Sequence, residues 1–433
     1  MKSRRLFLFL IPFFFLTFSA CEPQGGTNNV TGTPPPMLEG ELPSETPPEG
    51  LVDGGISPPS PEEAPPVQVR PGSTHAPLFS PEAIASGDIS VGSCFDFAFL
   101  PADRSWIPMV VYEKRTRTGR ELVFTEKTGG VWREHTLLSV GAVPNRSCHF
   151  LPALQIDAST VYVAARGDEG NHLKIMARRN GSWSPLTLAG VDQVGESNID
   201  ILKVGDYNKI IYRGILEEHV QIVCITSNSD VEEGCTEEFR ALWTGVRGSS
   251  YFYLLPWINA GGDTFALQFR NYTSSSLYRV DFGRERVTHN ELPDFPPNPS
   301  QFAMTMGPTA FRLNVVFKTA AGNALGLCAF QNSGEQISCE TVGANGEYPS
   351  IHMGAGGRTV VSYFDSGMLK LAMRGNLAAP WSYQFLSGGK GGESEKRSIV
   401  KLGLFNGALN AHVVFTGLSD DQKTKLLRYI RVP

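Results

Sequence analysis

The sequence lacks an excess of positive charge. Its 433 residues include 38 Lys and Arg against 43 Asp and Glu, which gives a formal net charge of -5. No basic field is present to attract a phosphate backbone, so we expect no nucleic acid partner. Eight of the acidic residues lie between Glu22 and Val69, where there is no Lys or Arg, and the rest of the chain is therefore close to neutral.

A hydrophobic run long enough for a stable membrane helix is also missing from the start of the chain. The run LFLFLIPFFFLTF has roughly 13 residues, against about 20 for a spanning helix, and Pro12 interrupts it. It follows three positive charges in MKSRR and precedes small residues and Cys21. This order of elements predicts an export signal over residues 1–20.

Familiar catalytic and metal-binding motifs are absent. The sequence has no His-Glu-x-x-His, no Gly-x-Ser-x-Gly, no phosphate-binding glycine loop and no EF-hand loop. Its eight histidines are scattered and do not have the spacing of metal ligands. We therefore expect no cofactor and no metal ion, and we favour a binding protein over an enzyme.

Helical periodicity is scarce after residue 85, whereas a strand-like pattern recurs. Short β-branched and aromatic runs are followed by polar turns, which indicates an all-β domain. Seven such runs are about 50 residues apart, the size of one four-stranded propeller blade. Several have a Trp 18 to 20 residues downstream, as at Trp132, Trp183 and Trp381. The repeated positions, used below as repeat markers, are Tyr112, Ala165, Tyr212, Phe269, Phe317, Tyr363 and Phe415.

This repeat predicts a β-propeller over residues 73–433, with seven four-stranded blades. The last repeat, from about Ser398, offers three strands before the chain ends. A strand from the segment His75 to Ile89 is therefore expected to close the ring, because closure leaves no unpaired edge. Six or eight blades, or two β-sandwiches, are the alternatives.

The residues Phe18, Ser19, Ala20 and Cys21 resemble the bacterial lipobox, with Phe18 in place of the usual Leu. The resemblance implies that Cys21 becomes the lipid-modified N-terminus of a cell-envelope lipoprotein, with the outer membrane favoured. The alternative is an ordinary secretory signal in which Cys21 is incidental. Residues 21–72 are acidic and rich in Pro, which predicts a disordered tether behind the anchor.

The unit YPSIHMGAGGRTVVSYFDSGMLKLAMRGNLAAPWSYQF resembles the blades of bacterial sialidase-like propellers. The resemblance implies the architecture only. A sialidase is expected to carry Asp boxes, Ser-x-Asp-x-Gly-x-Thr-Trp, and an arginine motif near its first blade, and neither is present in this sequence.

Six cysteines remain after Cys21, and their spacing suggests disulfide bonds. CITSNSDVEEGC and CAFQNSGEQISC occupy equivalent places in two repeats and bracket predicted hairpin turns. Facing residues on paired strands satisfy disulfide geometry. We therefore predict the pairs Cys224–Cys235 and Cys328–Cys339. Cys94 and Cys148 are expected on inner strands of adjacent blades, where they form either a third bridge or two buried thiols.

Four consecutive repeats carry a base directly after the marker: Arg166, Arg213, Arg270 and Lys318. In a propeller these positions would form an arc on one face, and arginine forks suit carboxylate, sulfate or phosphate groups. With Tyr272 and Phe364 nearby, the arc could bind an acidic glycan. The alternative is ordinary solvated charge at strand ends.

The leading hypothesis is thus a membrane-anchored module that recognises a glycan or an envelope protein. A glycosidase or polysaccharide lyase is the second hypothesis, and it would use acidic residues that converge on the funnel. An envelope assembly scaffold is the third. Candidate carboxylates for the enzyme are Asp96, Asp200, Asp365 and Glu347.

Overall fold

The computed structural model divides the chain into two compact units, Met1–Arg70 and Pro71–Pro433, and every described residue lies in the second. The predicted signal and tether, including Cys21, lie outside the described residues. Between 202 and 291 the description covers the backbone of the strands. The described residues are 80–85, 94–141, 148–167, 172–186, 194, 199–204, 207–213, 220–226, 251–256, 264–270, 275–282, 287–291, 301–307, 312–319, 324–331, 336–388, 397–418 and 425–433.

These residues form seven antiparallel sheets that follow one another along the chain. Sheet 1 contains β2 (Phe95–Leu100), β3 (Ile107–Arg115), β4 (Arg120–Thr128) and β5 (Val131–Val140). Sheet 2 contains β6 (Ala153–Asp157), β7 (Thr160–Arg166), β8 (Leu173–Arg179) and β9 (Ser182–Leu186). Sheet 3 contains β10 (Asp200–Val204), β11 (Tyr207–Arg213) and β12 (Val220–Thr226). Sheet 4 contains β13 (Tyr251–Pro256), β14 (Thr264–Arg270), β15 (Ser275–Phe282) and β16 (Val287–Glu291).

Sheet 5 contains β17 (Phe302–Met306), β18 (Arg312–Lys318), β19 (Leu325–Gln331) and β20 (Gln336–Gly343). Sheet 6 contains β21 (Glu347–Met353), β22 (Thr359–Asp365), β23 (Met368–Arg374) and β24 (Ser382–Gly388), with a short 3-10 turn at Ala355–Gly357. Sheet 7 contains β25 (Ser398–Phe405), β26 (Ala408–Leu418) and β27 (Lys425–Val432), and its fourth strand is β1 (Glu82–Ala85).

The first strands of the sheets form a closed ring. Each contacts the first strand of the next sheet, from β2 through β6, β10, β13, β17 and β21 to β25, and β25 contacts β2 again. In sheet 7 the N-terminal strand pairs with the C-terminal one, with Glu82 opposite Tyr429. The expected all-β propeller, closed by an N-terminal strand, is confirmed. Its number of seven blades stays a prediction, because sheet 3 has three described strands.

All seven repeat markers lie in the second strand of a sheet, which explains their recurrence. A second strand has another sheet against each of its faces, so it is apolar along most of its length; six consecutive residues of β3 are buried. Trp132 and Trp183 lie on the fourth strands of their sheets, and Trp381 directly precedes β24. Among the described residues, no helix has the length and hydropathy that a membrane span requires.

Among the described strands, the first strand of each sheet has no strand partner on its inner edge, and side chains satisfy part of that edge. The backbone N–H of Leu154 on β6 donates to Asp96 Oδ2 at 2.8 Å. On β25, Val400 N donates to Ser350 Oγ at 3.1 Å and Leu402 N donates to His352 Nδ1 at 3.2 Å. Burial, aided by the charge of Lys401, lowers the pKa of His352 to about 4, so its ring stays neutral and can accept this bond. Each acceptor belongs to the preceding sheet, so these bonds also join the sheets.

Candidate functional site

A buried polar cluster lies between sheets 1 and 2. Cys94 directly precedes β2, Cys148 lies five residues before β6, and Glu113 lies on β3. Their ligand atoms all lie within 4.8 Å of one another. Burial first, and then the hydrogen bond with Cys148, raise the pKa of the Cys94 thiol well above its usual value. The cluster therefore holds a protonated, weakly nucleophilic thiol at neutral pH.

The predicted bridge between Cys94 and Cys148 is not formed: both residues are buried thiols, and a hydrogen bond joins their side chains. Cys148 Sγ instead donates to Glu113 Oε2 at 3.6 Å, and both cysteines precede the inner strands on which we expected them. The alternative of two buried thiols is the one that the structure has. The sequence could not show this, because it does not reveal that Glu113 lies between the two segments.

Glu113 is the centre of this cluster and is fully buried. Its Oε1 accepts from Arg120 Nη1 at 2.5 Å, in an ion pair whose members are 0% and 5% exposed. Its Oε2 accepts the backbone N–H groups of His149 and Phe150, at 2.6 and 2.9 Å. The carboxylate thus uses both oxygens to join sheet 1 to the segment that leads into sheet 2, which favours a structural role over metal ligation.

Arg166, the first base of the predicted arc, lies in the interior of the protein. Its side chain is 1% exposed, and its guanidinium donates to the carbonyl oxygens of His149 and Cys148, at 2.5 and 3.0 Å. These are the residues whose N–H and S–H groups Glu113 binds. Arg166 is therefore a structural contact, not an exposed ligand-binding group, because the segment before β6 folds over its guanidinium.

The other bases of the arc are described in part. Lys318 Nζ lies 3.2 Å from Glu347 Oε1, so it pairs with the first residue of the next sheet. Arg213 and Arg270 end β11 and β14, and their side chains lie outside the described residues. Ligand binding by the four bases stays a prediction, and the two described members already have partners within the protein.

One predicted disulfide is confirmed. Cys328 on β19 faces Cys339 on β20, as the hairpin alignment predicts, and the two are bonded with their Cα atoms 4.1 Å apart. Cys224 lies on β12, but Cys235 lies outside the described residues, so that pair stays a prediction.

The carboxylates considered for an enzyme are engaged by separate partners. Asp96 accepts backbone N–H groups of Phe97 and Leu154, and Asp365 pairs with Lys370 and with the Ser366 hydroxyl. Glu347 pairs with Lys318, as described above. Asp200 begins β10 in sheet 3. Asp96 and Glu347 thus join neighbouring sheets, and Asp365 pairs within its own sheet.

A second kind of polar cluster joins the outer parts of neighbouring sheets. In three junctions a base near the end of a third strand pairs with an acid of the preceding sheet. Aromatic rings lie against each of these bases. The pairs are Lys127 with Glu82 between sheets 7 and 1, Arg178 with Glu126 between sheets 1 and 2, and Arg374 with Glu340 between sheets 5 and 6.

The recurrent Trp residues belong to these junctions. Lys127 Nζ lies 6.0 Å from the centroid of Trp132, and Arg374 Cζ lies 4.4 Å from that of Trp381. Trp183 packs edge-on against Phe124, at 4.9 Å, and Phe124 in turn lies 5.7 Å from Arg178 Cζ. The Trp signal in the sequence therefore marks contacts between sheets.

An open cleft lies between the outer strand of sheet 1 and the outer strands of sheet 2, with a volume of about 560 Å³. Strand β5 supplies one wall, and β8 and β9 supply the other. Leu and Ile side chains with Trp183 form the apolar part, whereas Lys174 and Ser184 are exposed polar groups. A Cβ added at Gly167 would approach Lys174 Cγ to 2.7 Å, so the Lys174 stem lies against the backbone where β7 ends. The cleft combines an apolar wall with a few polar groups, as small-ligand sites do.

Comparisons with known proteins identify architecture and not a family. No family model and no curated protein sequence matches this chain. The chain is similar to a six-bladed β-propeller fungal lectin from Aleuria aurantia at 10% identity and a TM-score of 0.40, over 78% of this chain and 93% of the lectin. It is also similar to a puromycin-hydrolysing peptidase of Mycobacterium tuberculosis, at 14% identity and a TM-score of 0.46, over 82% of this chain.

A third similarity is to a prolyl endopeptidase, at 11% identity and a TM-score of 0.43, over 79% of this chain. The chain spans about half the length of the two peptidases, 56% of the mycobacterial one and 51% of the prolyl endopeptidase. The functional argument below rests on residues of this chain.

Proposed function

We propose that this chain is a ligand-recognition protein of the bacterial cell envelope, with the propeller as its binding module. The observation that carries the proposal is the cleft of about 560 Å³ between sheets 1 and 2. Its size lies within the range of about 300 to 1,000 Å³ that is usual for small-molecule sites. Apolar walls with a few polar groups suit a short glycan or a peptide segment of an envelope protein.

Binding is favoured over catalysis by the state of the carboxylates. A glycosidase needs two carboxyl groups about 5 to 9.5 Å apart that are free to act on the substrate. Asp96 and Asp365 instead bind N–H groups and cations on their own or neighbouring strands. The cleft itself is lined by Lys174, His172, Thr136 and Ser184 as its polar groups, and none of these is a carboxylate.

Membrane attachment is the second part of the proposal and rests on the sequence. Lipid modification of Cys21 would attach the protein to the envelope, and residues 21–72 would hold the propeller away from the bilayer. Labelling cells with radioactive palmitate tests this part. We expect label on the native chain and none on Cys21→Ala; equal label on both would refute the anchor.

The binding part can be tested on a glycan array with the full chain, purified as the Cys21→Ser variant so that it carries no lipid. We expect retention of a subset of glycans and no release of product. Lys174→Ala should weaken retention, because it removes the charged group at the edge of the cleft. Arg133→Ala is the matched control, since Arg133 is an exposed base at the other end of β5.

The outcomes separate the hypotheses. Retention that Lys174→Ala lowers and Arg133→Ala leaves unchanged supports recognition at the cleft. Release of product would favour the glycosidase or lyase instead. Failure of the chain to retain any glycan would overturn the glycan ligand and leave recognition of an envelope protein.

A further inference from the structure

The two thiols of the buried cluster between sheets 1 and 2 come from segments that are far apart in the chain. Cys94 directly precedes β2, and Cys148 lies before β6. The ligand atoms of these cysteines and of Glu113 all lie within 4.8 Å of one another, and a hydrogen bond joins the two thiols. Cys94 is 0% exposed and Cys148 is 6% exposed, so solvent reaches the pair only at Cys148. Two soft ligand atoms are therefore held side by side in the interior.

The separation of the two sulfurs suits one soft metal ion between them. A bond from a thiolate sulfur to Zn²⁺ is about 2.3 Å long, so an ion with bonds of similar length can bridge sulfurs up to about 4.6 Å apart. The sulfurs of Cys94 and Cys148 are at most 4.8 Å apart. An ion between them would therefore require little movement of either side chain.

Glu113 does not supply a third ligand, because both of its oxygens are used. Oε1 accepts from Arg120, and Oε2 accepts the backbone N–H groups of His149 and Phe150. Structural zinc sites use four ligands, whereas Cu⁺ is a soft ion that accepts two thiolates, and thiolate ligands favour it. The available ligand set, two sulfurs, thus matches Cu⁺ better than Zn²⁺.

Positive charge near the thiols favours this ion, because Cu⁺ with two thiolates carries one negative charge. The buried Arg166 donates to the carbonyl oxygen of Cys148 at 3.0 Å. Arg397 Cζ lies 5.0 Å from the ring centroid of Phe95, the neighbour of Cys94. Burial raises the pKa of the Cys94 thiol, and the charge of Arg397 acts against that rise. Nearby bases stabilise a thiolate.

We propose that Cys94 and Cys148 form a binding site for one Cu⁺ ion, which is separate from the cleft and independent of the ligand that the cleft binds. Each thiol loses its proton to water as the ion binds, two copper–sulfur bonds form, and neither copper nor sulfur changes its oxidation state. The bound ion joins the segment before β2 to the segment before β6. Motifs for metal ligands have short spacing, so they do not reveal a pair that only the packing of two sheets brings together.

The test titrates the full chain with Cu⁺ in competition with a chromogenic Cu⁺ chelator, without oxygen and with ascorbate to keep copper reduced. The parent chain is the Cys21→Ser variant, which carries no lipid. We expect one ion per chain. Cys94→Ser and Cys148→Ser should each weaken binding at least about 100-fold, because each removes one of the two ligands. The double variant Cys224→Ser with Cys235→Ser is the matched control and should bind copper as the parent does.

Two further measurements use the parent chain, so they do not depend on whether a variant folds. Release of two protons should increase the affinity about 100-fold between pH 6 and pH 7, about tenfold for each proton. X-ray absorption of the chain with one equivalent of Cu⁺ should show two sulfur neighbours of copper. Zn²⁺ should bind at least about 100-fold more weakly than Cu⁺, because two sulfurs leave its ligand set incomplete.

Several results would overturn the proposal. These are failure of the parent chain to bind Cu⁺, equal affinity in the parent and Cys148→Ser, and equal affinity for Cu⁺ and Zn²⁺. Loss of binding only in the variant without Cys224 and Cys235 would assign the ion to that pair instead. A disulfide between Cys94 and Cys148 in the chain as isolated, detected by thiol titration and peptide mapping, would also overturn it.

Discussion

Two junctions of this propeller place an arginine–glutamate pair at different depths. Between sheets 1 and 2, Glu113 binds Arg120 and two backbone N–H groups, and Arg166 binds the neighbouring carbonyl oxygens. Between sheets 5 and 6, Arg374 Nη1 donates to Glu340 Oε1 at 2.7 Å, and the indole N–H of Trp381 donates to the other oxygen at 3.3 Å. The carboxylate of the first junction is fully buried, whereas the side chain of Glu340 is 40% exposed.

The difference indicates that the depth of an ion pair decides how much it contributes to stability. A buried charge must be matched within the protein, because desolvation makes an unmatched one expensive. At a partly exposed junction water reduces that cost, so a similar pair contributes less. Arginine content alone therefore does not locate a binding site, because burial decides whether a guanidinium can reach a ligand.

The largest expected effect is that of Glu113→Gln, which would break the closed junction. The substitution removes the buried carboxylate that Arg120 binds, and removal of one partner from a buried ion pair costs about 3 to 5 kcal/mol. We expect the midpoint of urea unfolding to fall accordingly.

Glu347→Gln is the control for that measurement, because Glu347 forms an ion pair with Lys318 and is 32% exposed. It should cost about 0 to 1 kcal/mol. Similar shifts in the two variants would contradict the distinction between buried and open charge.

Acid should weaken the fold through its buried histidines. Burial lowers the pKa of His412 to about 3, with the charge of Arg431 acting in the same direction, and His352 has a pKa of about 4. Between these pKa values and about pH 6.5, the two histidines are protonated in the unfolded chain but neutral in the folded protein. Stability is therefore full above pH 6.5 and falls as the pH decreases, by up to about 1.4 kcal/mol per pH unit for each histidine.

Urea unfolding at a series of pH values from 7 to 5 measures this slope. His412→Gln should flatten it, and replacement of the exposed His135 by Gln is the control that should not. A slope that His412→Gln leaves unchanged would show that other groups cause the acid sensitivity.

The smallest expected change in stability is that of Glu340→Gln at the partly exposed junction between sheets 5 and 6. Glu340 is 40% exposed, so we expect a loss of at most about 1 kcal/mol. Urea unfolding beside Glu113→Gln makes the comparison direct, and an equal loss in the two variants would contradict the effect of depth.

The fold followed from the sequence because its determinants are local and repeated. A second strand between two sheets must be apolar and aromatic, so Tyr112, Tyr363 and Phe415 recur at similar spacing. The incomplete last repeat predicted the closing strand, and equal cysteine spacing predicted the Cys328–Cys339 bond. Each of these sequence patterns lies in a short stretch of chain, and the strand pairing of that stretch is set by a turn or by the repeat.

The polar clusters could not be predicted, because they depend on contacts between segments that are far apart in the sequence. The spacing of residues along the chain does not indicate such contacts. The position of Arg166 after its marker suggested an exposed strand end, but the segment that contains His149 covers it. Glu340 and Arg374 belong to strands of two different sheets, and only the packing of those sheets brings them together.

The joining of β1 to β27 has a mechanical consequence. A pull on the chain ahead of Glu82 is delivered first to the ladder that seals the ring, at Glu82 opposite Tyr429. Strand β1 is the strand nearest to the N-terminus, so a force applied through the N-terminus acts on β1 first. Detachment of these four residues would expose the edge of β27 and leave the other sheets paired, so the ring would open at one defined place before it lost its blades.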